Sequence, residues 1–306
     1  SQRKANALRA KKSSVSSVPS VFQESELRKM KPLILENMQR QMALPPCVES
    51  ALTPIMDWSD TGIVLSARKH GETSVIVSLL TSGHGRHLGL VRGGAGRRSR
   101  GVYQAGNVVA ATWKARLEEH LGSFTCEMTR AVAVDYLDDP MRLAGLSALA
   151  AVTEAALPER EPHDVLYRRF TAMIDDLKSG GWLEDYVSFE LELLAELGFG
   201  LDLSQCAATG ETEDLIYVSP KSGRAVSRGA GAPYKEKLLP LPAFLVNAGL
   251  AGAGEEAAAN GDILDGLALT GHFLERHVFI HRARGGPAAR QRFIDRLSQS
   301  DTISRG

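Results

Sequence analysis

The apolar residues of this chain change their period once, at about Asp138, and that single change bounds what the chain can fold into. Upstream they fall in short runs. Residues 62–68 alternate through Ile63 and Leu65, and residues 74–81 are rich in Val, Ile and Leu. A turn at Gly83 to Gly85 leads into 87–92. Residues 107–113 are rich in Val, Ala and Thr, and 123–134 alternate through Phe124, Cys126 and Met128. These are strand signals with turns between them. Five strands with no long helical run predict a small barrel, because closure is how so small a sheet protects its edges, and the count of five points to the OB type.

Downstream the period is 3.6. Residues 139–157 follow Asp138-Asp139-Pro140, a helix start signal, with Leu146, Leu149, Val152 and Ala156 on one face. Residues 163–179 carry Leu166, Phe170, Met173, Ile174 and Leu177 and stop at Gly180-Gly181. Residues 182–197 are apolar over a wide arc, which places that helix at the centre of a bundle, with its acids on a solvated face. Residues 201–235 read as a small irregular insert with a short strand at 215–218. Helical patterning resumes at 242–250, 262–281 and 287–299, the last with Pro287 in its first turn. The expected fold class is therefore α+β: a five-stranded OB-type barrel over 56–135, then an α-helical domain over 136–300. Residues 1–55 are Ser/Val/Pro-rich in part and broken by Pro45-Pro46; they read as an extension, disordered or not native, with Met56 as a natural beginning.

The formal net charge of zero conceals a segregation. Residues 62–135 hold ten basic side chains and five acids, a net of +5, whereas 138–214 hold five basic residues and seventeen acids, a net of −12. Between 86 and 100 there are five arginines and no acid. A solvated loop ordinarily mixes signs, so Arg86, Arg92, Arg97, Arg98 and Arg100 are expected to contact phosphates, flanked by Arg68, Lys114 and Arg116. Tyr103, Trp113 and Phe124 are the aromatic residues available for stacking on bases.

Catalytic patterns are missing. The cluster Gly93-Gly94-Ala95-Gly96-Arg97-Arg98-Ser99 lacks the Gly-Lys-Ser/Thr of a phosphate-binding loop and the third glycine of a dinucleotide fingerprint. His277 and His281 are four apart, but no third metal ligand stands at useful spacing. Adjacent acids such as Asp175 and Asp176 do not face each other on a helix. The expectation is a non-catalytic binding protein with no cofactor. Three cysteines (Cys47, Cys126, Cys206) and no apolar stretch of membrane-spanning length point to a reducing, cytoplasmic setting without membrane association.

Several local patterns, in order, resemble the bacterial RecO family of DNA repair and recombination mediators over about residues 56–300. They are Gly62-Ile63-Val64-Leu65 followed by Lys69-His70-Gly71-Glu72-Thr73-Ser74, Leu79-Leu80-Thr81 followed by Gly83-His84-Gly85, and Val91-Arg92-Gly93-Gly94 leading into Arg97-Arg98. Further on come Glu190-Leu191 to Leu203 with Cys206-Ala207-Ala208-Thr209-Gly210, and Tyr217-Val218-Ser219-Pro220-Lys221-Ser222-Gly223. The resemblance implies an OB domain, a helical domain and a zinc-ribbon-like insert. It also implies binding of single- and double-stranded DNA in the bacterial nucleoid, annealing of complementary strands, and help to RecR in loading RecA onto DNA coated by single-strand-binding protein. The acidic C-terminal tail of that last protein is expected to meet a basic cluster of Arg276, Arg282, Arg284, Arg290, Arg292 and Arg296, set against Asp295 and Asp301. One departure stands out. Where zinc-bearing members place two Cys-x-x-Cys pairs, this chain keeps Cys206 but has Thr209, Ser227 and Ala230, so no metal is expected. The alternative reading is a protein-interaction scaffold whose basic loop binds an acidic protein partner, or is masked by the acidic 138–214 block.

Overall fold

The computed structural model describes residues 56–97, 99–246, 258–280 and 285–304. The expected extension over 1–55 and the expected helical residues 247–250 lie outside them. Five strands, β1 (Met56–His70), β2 (Ser74–Thr81), β3 (Gly85–Val91), β4 (Val108–Ala115) and β5 (Ser123–Arg130), close a barrel in the order β1-β2-β3-β5-β4. β1 is long enough to pair twice: Met56 to Ile63 oppose β4, and Gly62 to His70 oppose β2. It starts six residues before the strand expected from the pattern. The stretch Met56 to Thr61 is mostly exposed and carries no apolar alternation, so pairing with β4 makes it a strand.

The run Ile63-Val64-Leu65 is buried on both faces. Val64 points into the barrel with Val77, Leu79, Val109, Trp113 and Phe124, whereas Ile63 and Leu65 join Leu80 in the core shared with the helices. That shared core carries helix α1 (Pro140–Ala156) against β1. Asp139 caps α1, accepting from the backbone N–H groups of Met141 and Arg142 at 3.1 and 3.0 Å, with Pro140 in the first turn. Helices α2 (Asp164–Asp176) and α3 (Trp182–Glu196) follow, and α3 is central as its wide apolar arc predicts, with Trp182, Tyr186, Phe189, Leu193 and Leu194 all buried. Each such side chain contributes about 1.5–3 kcal/mol of burial.

The insert forms a three-stranded sheet, β7-β6-β8, from β6 (Leu215–Val218), β7 (Ala225–Ser227) and β8 (Leu239–Pro240), with a short helix α4 (Arg228–Gly231) after β7. After the short α5 (Ala243–Val246) comes α6 (Asn260–Phe273), which runs into a wider π turn over Leu274–Val278. The last helix, α7 (Ala288–Ser304), packs along α1 and buries Phe293 and Leu297, the Phe293 ring lying 4.9 Å from that of Tyr186 on α3. Two sequence expectations need correction here. Glu190 on α3 is fully buried rather than solvated, and Arg290 on α7, expected on the partner surface, is 8% exposed. The two form an ion pair, Arg290 Nε to Glu190 Oε1 at 2.7 Å and Nη2 to Oε2 at 2.8 Å, with Thr270 Oγ1 donating to the same carboxylate at 2.5 Å. No helix among the described residues is long and apolar enough to cross a membrane.

Candidate nucleic-acid interface

The loop from Arg92 to Asn107 leaves β3 and folds back over the β1–β2 turn, where the Ala95 N–H donates to the Thr73 carbonyl at 2.9 Å. Gly94 permits this approach: a Cβ there would lie 2.5 Å from Val75 Cγ2. Arg92, Arg97 and Arg100 are exposed, and Arg100 Nε donates to the Ala95 carbonyl at 3.3 Å, which holds that side chain at the root of the loop. Arg98 lies outside the described residues. Barrel closure brings Lys114 to the same edge, since Lys114 pairs with Ser123 on β5 and Ser123 in turn pairs with Leu90 near the end of β3. Arg116 is exposed in the following loop.

Two of the expected phosphate contacts are engaged otherwise. The Arg86 side chain is 13% exposed; its Nε donates to the Leu157 carbonyl at 2.8 Å and its Nη2 lies 3.5 Å from Glu159 Oε1. It joins the barrel to the α1–α2 connection, and the sequence assignment of Arg86 to DNA is corrected on that ground. Arg68 reaches Glu154 on α1 at 2.9 Å and keeps 70% of its side chain exposed. Strand alternation sends Ser66 and Arg68 toward α1, while Ala67 and Lys69 face the basic loop. Lys69 escapes a reading of the sequence because a charge count does not distinguish the two faces of a strand.

Of the three candidate aromatics, Trp113 and Phe124 are 1% and 4% exposed and belong to the barrel core. Trp58, whose ring stacks on His84 at 4.0 Å, is occupied by the protein itself. Tyr103 is partly buried and lines a cavity of about 310 Å³. Burial pushes its phenol up to about 12 and the neighbouring Cys126 thiol up to about 11.

The acidic helical block pairs with the barrel at Arg68–Glu154, Arg86–Glu159 and Arg130–Asp175. Among the described residues, no ion pair reaches Lys69, Arg92, Arg97, Arg100, Lys114 or Arg116. The basic loop is not masked by those acids.

A second surface lies between α1 and α7. Leu143 and Ala144 of α1 and Ala289 of α7 form an apolar floor of a cavity of about 240 Å³, and Arg292 and Arg296, one turn apart on α7, stand at its rim. Of the remaining arginines in the expected partner cluster, Arg276 is exposed but donates to the Pro220 carbonyl at 2.5 Å, tying the insert to the end of α6, and Arg282 and Arg284 lie outside the described residues. His277 stacks on Phe199 at 4.7 Å; His281 lies outside the described residues. In the insert, Cys206 is buried and its Sγ accepts from the Ser227 N–H at 3.2 Å. No group of three or more His, Cys, Asp or Glu among the described residues is arranged to hold a metal ion.

Residues 56–131 match the family described as Recombination protein O N terminal, and residues 137–284 match that described as Recombination protein O C terminal. The chain is similar to the DNA repair protein RecO of Rhodospirillum centenum, at 53% identity over 251 residues, covering 81% of this chain and 98% of that protein. It is similar also to the DNA repair protein RecO of Rhodospirillum rubrum, at 52% identity, covering 82% of this chain and 100% of that protein. The DNA repair protein RecO of Nitrobacter hamburgensis is 52% identical, with 78% and 94% covered.

Proposed function

Because the chain belongs to the RecO family, in which the barrel and the helical domain each match a family region, we propose that it acts in DNA repair and homologous recombination as a mediator rather than an enzyme. In this reading the barrel binds single- and double-stranded DNA through backbone phosphates. The observation that carries it is the set of exposed cations on and beside the 92–107 loop that no acid among the described residues neutralises. Contacts of this kind position a strand without reading its sequence, and cations shared between two strands lower their repulsion, which supports annealing. The α1–α7 groove, with its apolar floor and arginine rim, supports docking of the acidic, apolar-ended tail of single-strand-binding protein; RecR and RecA would then act on the DNA so delivered.

The test is a salt series of oligonucleotide and duplex binding by the full chain, read by fluorescence anisotropy. Log affinity should fall steeply and linearly with log salt. Replacing Arg97, Arg98 and Arg100 together by Gln should flatten the single-strand slope by about 2, at about 0.7 for each phosphate no longer neutralised. An unchanged slope in the folded triple variant would remove the basic loop from the reading. A synthetic acidic tail peptide should bind the full chain and lose binding when Arg292 and Arg296 are both changed to Glu.

A further inference from the structure

We propose that the cavity beside Tyr103 accepts one unpaired nucleotide of a single strand, its base against the Tyr103 ring and its phosphate between Lys69 and Arg100. This deepens, and rests on, the DNA-binding reading above. The chemistry of the cavity is divided as a nucleotide is. Ala67, Val75 and Ala95 supply an apolar wall and Tyr103 an aromatic surface, and Lys69 and Arg100, the latter with its Nε on the Ala95 carbonyl at 3.3 Å, add two positive charges to the lining. Tyr103 is the candidate aromatic that remains accessible near the loop, because Trp113 and Phe124 are closed into the barrel core. Gly94 seats the loop backbone against Val75 and the Ala95-to-Thr73 hydrogen bond fixes it there, so the protein's own contacts shape the cavity.

Its volume of about 310 Å³ stands at the small end of ligand cavities, which run from about 300 to 1,000 Å³, and suits a single nucleotide. A base inside a duplex is stacked and paired and enters such a cavity only if flipped out, at the cost of its stacking and pairing. The basic loop therefore binds both DNA forms through phosphates, while this cavity adds affinity for unpaired strands alone. Stacking of a base on an aromatic side chain is tolerant of sequence, as a mediator acting on any exposed strand requires.

The experiment compares the full chain with Tyr103→Leu and Tyr103→Phe on oligo-dT and on a duplex of equal length. Tyr103→Leu should weaken oligo-dT binding by about 5- to 140-fold, the range that one base–aromatic stack spans, and leave duplex binding within about twofold. Tyr103→Phe keeps the ring, loses only the hydroxyl, and should bind oligo-dT as the parent does. An iodouracil-substituted oligonucleotide should photocross-link to the peptide containing Tyr103. Equal loss on both DNA forms, no loss on oligo-dT, or a cross-link confined to other peptides would overturn the proposal while leaving phosphate-directed binding intact. If the parent chain binds neither form, the DNA-binding reading itself fails. Free dTMP distinguishes a nucleotide site from a strand site: saturable dTMP binding that Tyr103→Leu abolishes, with oligo-dT affinity unchanged, would overturn the assignment to a strand.

Discussion

Arg290 shows how far a single residue's sequence neighbourhood can mislead. It lies among Arg284, Arg292 and Arg296, and counting charges along the chain places all of them on one partner-binding surface. Its carboxylate partner is a hundred positions upstream, on a helix whose acids read as solvated, and no local pattern links the two. The pair is nearly dry, with Arg290 also donating to the Leu267 carbonyl at 2.7 Å. Burial acts against the Arg290 charge, but Glu190 outweighs it and holds the guanidinium firmly protonated. Removing one partner strands the other charge in the core, a loss of about 3–5 kcal/mol, whereas replacing both with apolar side chains of similar volume recovers much of it. Arg290→Met should therefore lower unfolding stability in urea by about that amount, and Arg290→Met with Glu190→Met by clearly less. Equal losses would place the cost in packing instead of in the stranded carboxylate. Arg292 and Arg296, two and six residues on, stay exposed at the α1–α7 groove, so the helical period separates structural from accessible arginines within one helix.

Whole elements were legible where apolar residues repeat with a fixed period, and illegible where pairing alone defines them. Four of the five strands, and helices α1 to α3, fall close to where the pattern puts them, because each buries a face that the period marks. The start of β1 and the π turn after α6 carry no such mark. The 201–235 insert is intermediate: its turns were visible, while its sheet depends on pairings such as Leu215 with Ser227. There Cys206 stands where a zinc ligand would. Burial acts to raise its thiol, but donors around the sulfur, the Ser227 N–H at 3.2 Å among them, act more strongly the other way and bring it down to about 6. Thr209, whose hydroxyl donates to Glu211 at 3.0 Å, Ser227 and Ala230 offer no thiolate or imidazole to complete a tetrahedral site. Purified protein should carry no stoichiometric zinc by elemental analysis, and a chelator should leave its melting temperature unchanged. About one zinc per chain with a chelator-induced loss of stability would show that the metal holds the insert.

At the scale of the whole molecule, the opposed charge blocks have a physical use that the zero total hides. Acids of the helical half meet the barrel at Arg68, Arg86 and Arg130, and Arg160 extends the junction with a hydrogen bond to the His120 carbonyl at 2.9 Å. Gly85 seats the connection between α1 and α2 so closely, at a φ of +64°, that a Cβ would lie 1.9 Å from the Glu161 carbonyl oxygen. The acidic block thus takes up barrel cations on the side facing the helices and leaves Arg92, Arg97 and Arg100 without an acidic partner among the described residues, and the interdomain contact itself sorts which arginines are free for the proposed phosphate contacts. Arg68 is the borderline case, because it is paired with Glu154 yet largely exposed. Glu154 is 17% exposed and also accepts from the Ser66 hydroxyl at 2.6 Å, an interaction the amide oxygen of Gln can keep, while its pair with a largely solvated guanidinium contributes only about 1 kcal/mol or less, so Glu154→Gln should fold normally. The freed guanidinium then becomes available to a phosphate. Single-strand affinity at low salt should rise, and the log–log salt slope should steepen by about 0.7, one further phosphate neutralised. The same change combined with Arg68→Gln should return both quantities to the parent values. If Glu154→Gln leaves slope and affinity where they were, the path of the strand runs over the loop and Lys69 and does not reach the α1 side of the barrel.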